Sequence, residues 1–159
     1  MTRTIGLVAL LSLTGCIQVY QRQARFNEAE FAPFTKTGSA SLSGQAFLKT
    51  VSGDVKYGAG NLVYLIPVTK YTQEWYQVGL LQGQPMSDAD PRLPKYLRNT
   101  QADGEGRFKF SNLPGGEYIA ACDIVWGVAG PYGVTYTGGT AFAKVKIGPG
   151  EQASVVVTR

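Results

Sequence analysis

The chain contains no histidine, and that absence removes the commonest designs for hydrolytic chemistry. Ser-His-Asp and Cys-His nucleophilic sites need an imidazole to take the proton, and the usual zinc sites need it as a ligand. Cysteine is almost as scarce, with only Cys16 and Cys122 in 159 residues. Charged residues make up 16% and leave a net charge of +4. Lys and Arg are scattered and never reach the dense basic patch that nucleic-acid binding needs, so no nucleic-acid partner is expected. The apolar run Ile5 to Leu13 falls well short of the roughly 20 residues that a membrane-spanning helix requires.

What is abundant points one way. Twenty Gly, eight Pro and nine Tyr, with many Val and Thr, favour short strands joined by tight turns over helices. A hydrophobic content of 44% in 159 residues suits one core and one domain. The expected fold class is all-β.

The N-terminus has the layout of an export signal. Arg3 supplies a positive start, Ile5 to Leu13 an apolar stretch of signal length, and Leu13-Thr14-Gly15-Cys16 follows at once. These four residues resemble the bacterial lipobox, in which the cysteine is lipidated and becomes the first residue after cleavage. The resemblance implies a signal peptide over 1–15, lipidation with palmitate-type chains at Cys16, and a membrane partner reached through that lipid. Each buried CH₂ contributes about 0.8 kcal/mol, so such chains hold a protein firmly. Residue 17 is Ile rather than Asp, which by similarity to the Gram-negative sorting pattern implies the outer membrane of the cell envelope.

Residues 16–37 are expected to form the lipidated N-terminus and a stem, because no sustained alternation appears there. Tyr20, Phe26, Phe31 and Phe34 leave open that the stem packs on the domain, and Gln21 to Glu30 leaves open a short helix. From Ser39 the pattern has period two: Ala40, Leu42, Ala46 and Leu48 define a core face. Leu62 to Pro67 is apolar at successive positions and reads as a central strand covered on both sides. Thr100 to Asp103 and Arg107 to Phe110, joined by Gly104-Glu105-Gly106, read as a hairpin. Tyr118, Ala120, Cys122, Ile124 and Trp126 share a face, as do Ala141, Ala143, Val145 and Ile147. With Ala153, Val155 and Val157 the count is seven strands, a number suited to two packed sheets.

The segment Thr100-Gln101-Ala102-Asp103-Gly104-Glu105-Gly106-Arg107-Phe108-Lys109-Phe110, followed by Leu113-Pro114-Gly115-Gly116-Glu117-Tyr118, resembles the T-x-A-D-x-x-G-x-F-x-F…L-P-x-G-x-Y core of carboxypeptidase regulatory-like domains. The likeness extends over 38–159. It implies a single seven-stranded antiparallel β-sandwich, transthyretin- or prealbumin-like, that accompanies other proteins without cleaving peptides itself. Phe108 and Phe110 are then core residues, Gly106 a turn residue, and Tyr118 an edge anchor through its hydroxyl. Some sandwiches of similar build form Lys-Asn crosslinks, but the final strand from Ala153 offers no Asn.

No catalytic residue, metal site or cofactor is expected. Cys122 alternates with core residues and reads as an inert buried thiol. Asp88 with Asp90, and Asp103 with Glu105, lack the fuller ligand set that calcium needs and read as turn carboxylates. The unexplained part is an insert at 68–98, roughly thirty residues where a hairpin loop would be far shorter. Its Tyr71, Trp75, Tyr76 and Tyr96 either cover the outer side of the strand Leu62 to Pro67 or remain exposed beside Trp126, Tyr132 and Tyr136 of the later strands as contacts for a sugar or protein. The leading function is therefore a membrane-anchored, noncatalytic structural or protein-interaction lipoprotein of the envelope. The alternative is a carbohydrate-binding module using exposed aromatics, and the remote third is an enzyme with an acidic site.

Overall fold

The computed structural model describes residues 18–159; the expected signal peptide 1–15 and Cys16 lie outside the described residues. Two four-stranded sheets pack face to face. One contains β1 (Ala40–Lys49), β2 (Val55–Tyr57), β5 (Arg107–Leu113) and β8 (Gln152–Val157), with β1 pairing all three others. The second has the order β4-β3-β6-β7, built from β3 (Leu62–Pro67), β4 (Arg98–Gln101), β6 (Gly116–Gly130) and β7 (Gly133–Ile147). The all-β sandwich agrees with the sequence, with eight strands in place of seven. The antiparallel expectation also needs one correction, since β8 runs parallel to β1, with Leu42 opposite Ala153 and Ala46 opposite Val157.

The inward faces follow the two-residue period. Leu42, Ala46 and Leu48 of β1, Phe108 and Phe110 of β5, and Val157 of β8 meet Val63, Leu65, Tyr118, Ala120, Cys122, Ile124 and Ala141 from the other sheet. The Phe108 and Phe110 rings pack edge to face with centroids 5.9 Å apart. Tyr118 is buried, and its hydroxyl donates to the Pro114 carbonyl at 2.8 Å. This anchors the start of β6 to the turn before it.

The expected hairpin around Gly104-Glu105-Gly106 is a corner between the sheets. β4 pairs with β3 while β5 pairs with β1. The Asp103 carboxylate fixes the corner by accepting from the N–H groups of Glu105 and Arg107, both at 2.8 Å. Gly106 has φ +74°, and a Cβ there would lie 2.4 Å from the Ala46 carbonyl oxygen. Only glycine fits both constraints.

The expected stem is packed on the domain. Tyr20 bridges to the insert through Tyr20 N–H to Pro85 O at 2.7 Å and Ser87 N–H to Tyr20 O at 2.8 Å. A short helix, α1 (Glu28–Phe31), is capped by the Asn27 side chain and places Phe31 at zero exposure. The insert supplies α2 (Lys70–Trp75), started by a Thr69–Thr72 capping box and continued as a π turn over Tyr76–Leu81. This helix covers Ile66, Ile119 and Ala121 on the outer face of the second sheet, joined by Leu80, Leu97 and Phe142. Cover stops there: Leu62 and Tyr64 stay exposed, so β3 is covered on both sides only at its C-terminal end.

Candidate functional site

Where the insert ends its cover, the outer face of the second sheet floors a cavity of about 290 Å³. Tyr64 and Ile66 of β3 and Ala121 and Asp123 of β6 contribute to it, with Thr140 on β7. Tyr71 and Trp75 of α2 line it as well, together with Leu93 and Leu97. A shallower cavity adjoins it, sharing Arg22, Trp75, Ala89 and Thr140 and adding Asp88. The lining is mostly apolar and aromatic with a few polar groups, the usual make-up of a small-molecule site.

Each polar group has a local cause. Asp123 and Thr140 are directly opposed on the β6–β7 ladder, and the Thr140 hydroxyl donates to Asp123 Oδ1 at 2.5 Å. That bond fixes the carboxylate and leaves Oδ2 for a ligand. Arg22 arrives from the N-terminal segment: its N–H and Nε donate to Ser87, at 3.2 and 3.1 Å, and its guanidinium lies 4.8 Å from the Tyr71 ring centre. Its Nη1 is buried and has no hydrogen-bond partner among the described residues. An unmet buried donor is costly, and the Arg22 side chain lines both cavities.

The Glu74 carboxylate holds Arg22 in register. It accepts from the N–H groups of Gln23 and Ala24 at 2.7 and 3.1 Å and from the Tyr20 hydroxyl at 3.2 Å. Burial pushes the Glu74 carboxyl up, but those three donors and the nearby Arg22 charge outweigh it and hold it below the ordinary glutamate value. Cys122 is no part of the chemistry. Burial, with Asp123 beside it, pushes its thiol up to about 11, keeping it protonated and inert.

Of the aromatics singled out from sequence, Tyr71 and Trp75 meet at the cavity, while Tyr76, Tyr96 and Trp126 go elsewhere. Tyr71 is nearly fully buried, its hydroxyl accepting from the Asp90 N–H at 2.7 Å and its ring meeting Phe26 edge-on. The Tyr96 ring packs at a tilt against Phe31 and its hydroxyl donates to Glu28, pinning α1. Tyr76 packs edge-on against Phe142. Trp126 turns inward onto the main core. Sequence reasoning missed Tyr64, Asp123, Thr140 and Arg22. The available signal was Asp123, a lone carboxylate within the otherwise apolar stretch Tyr118 to Trp126.

Asp90 and Asp103 are turn carboxylates, whereas Asp88 lines the shallower cavity. Asp90 forms a two-pronged pair with Arg92, at 2.9 Å on each side, and that bonding holds it down to about 2. Asp103 caps the corner already described.

No family model matches the chain, and no curated protein matches it. Among solved structures, it is similar to a Pseudomonas aeruginosa protein named a "putative carbohydrate binding protein". The two share 27% identity and a TM-score of 0.72, over 86% of this chain and 99% of the other.

Proposed function

We propose that this protein is a noncatalytic carbohydrate-binding module of the bacterial envelope, tethered through lipidated Cys16. The observation that carries the reading is the cavity beside Trp75 and Tyr64, with Asp123 Oδ2 as an acceptor and Arg22 Nη1 as an unmet donor. A sugar presents just these two aspects. Its C–H face packs on aromatic rings, and each hydroxyl both donates to a carboxylate and accepts from a guanidinium. The name borne by the Pseudomonas aeruginosa protein supports the same class. Carboxylates and a guanidinium together in the two adjoining cavities favour a neutral sugar over an anionic one.

The finer fold assignment, a transthyretin-like sandwich of the carboxypeptidase regulatory-like type, is supported by the roles of Gly106, Phe108, Phe110 and Tyr118 at the matching motif positions. A glycan array tests the function. The wild type should retain a small set of neutral glycans that Asp123→Asn and Trp75→Ala both lose, whereas a protein partner in place of a glycan would leave the array blank. Labelling with a fatty-acid analogue tests the anchor: Cys16→Ser should abolish incorporation, and undiminished labelling of that variant would sink the assignment.

A further inference from the structure

The outer face of the second sheet continues past the cavity. Beyond Asp123 and Thr140, the next pairs on that face are Val125 with Gly138, Gly127 with Tyr136, and Ala129 with Val134, along an arm formed by the distal halves of β6 and β7. Val125, Val134 and Tyr136 are exposed, Tyr136 at 75%. A Cβ on Gly127 would lie 2.7 Å from Val134 Cγ1 and 3.7 Å from Tyr136 Cε1. Glycine there lets both side chains approach the ladder, and at 75% exposure most of the tyrosine side chain is open to a ligand. No charged residue occurs from Ile124 to Ala143. From Thr140 to Tyr136 the strand advances about 14 Å, farther than a single sugar ring reaches.

We propose that this strip is an extension subsite: the ligand is an uncharged oligosaccharide whose first sugar sits in the cavity and whose later sugars run along the arm and stack on Tyr136. This rests on the carbohydrate reading of the cavity. The missing charge decides against other occupants. An anionic polymer would find no cation on this face of the arm, since the Arg159 guanidinium that lies against Gly139 is on the opposite side of the ladder with Ile124, and an anionic lipid surface would call for flanking Lys or Arg. A second copy of the chain is the remaining competitor for an exposed apolar strip.

The test uses the full chain and neutral ladders of glucose, galactose and N-acetylglucosamine, from monosaccharide to hexasaccharide, measured by titration calorimetry. Affinity should rise about tenfold with chain length on at least one ladder. Tyr136→Ala should remove that rise while leaving monosaccharide affinity and the melting temperature unchanged, and Tyr136→Phe should restore it. Affinity that is flat with length, or lost equally for short and long sugars in Tyr136→Ala, would overturn the subsite and leave the cavity reading standing. Failure of every ladder would overturn both. A concentration-dependent dimer in sedimentation that Tyr136→Ala abolishes would assign the strip to a second copy instead.

Discussion

The Thr140 hydroxyl donates to Asp123 Oδ1 at 2.5 Å across the β6–β7 ladder, so a carboxylate on an open sheet face is held in one orientation beside an aromatic cavity. Asp123 is exposed and contributes little to folding, which separates its binding role from stability. Asp123→Asn should weaken glycan affinity by about tenfold or more. Its unfolding free energy in urea should stay within about 0.5 kcal/mol of wild type. A variant that loses both together would show that the residue acts through the fold.

Glu74 makes the N-terminal segment sensitive to acid. Because its carboxyl is held below the ordinary glutamate value, its contribution is complete above the unfolded value of about 4.3 and is lost as the pH falls through the lower folded value. Protection factors at residues 20–24, taken relative to the intrinsic amide exchange rate at each pH, should therefore be high at neutral pH and fall in that acidic range. Glu74→Gln should show the low protection at neutral pH as well. Ligand affinity should fall in parallel, because Arg22 lies in the same segment.

Tyr118 tests the corner that starts β6. Removing its hydroxyl in Tyr118→Phe leaves the Pro114 carbonyl without the bond it receives at 2.8 Å. The expected cost is about 1–2 kcal/mol in urea denaturation, with glycan affinity unchanged in the folded protein.

Cys122 should behave as a core residue. Its thiol is buried and pushed up to about 11, so a thiol reagent at pH 8 should modify it only when denaturant opens the sandwich. Fast modification in native buffer would contradict its position between the sheets.

How much was legible in the sequence follows from what periodicity encodes. A period of two tells which face of a strand is buried, so Leu42, Phe108, Phe110, Tyr118 and Cys122 were read correctly onto the core. Periodicity does not tell which neighbour a strand pairs with. That is why β8 beside β1 was not anticipated as parallel, and why the Gly104-Glu105-Gly106 turn read as a hairpin although its two strands join different sheets. The insert aromatics stand out by type, yet Tyr71 and Tyr96 pack against Phe26 and Phe31 from the N-terminal segment. Partners so distant in the chain leave no local signal. Arg22 reached the cavity through the same long-range docking, and Tyr64 was hidden inside an apolar run whose outer side is only half covered.

Binding of a neutral sugar in the cavity on the outer face of the second sheet is visible in backbone amide NMR during titration with the best-bound ladder sugar. The shifts should cluster at Tyr64, Trp75, Asp123 and Thr140, with Arg22 following, and should vanish in Asp123→Asn. Shifts confined to the opposite sheet, around β1, β5 and β8, would contradict it.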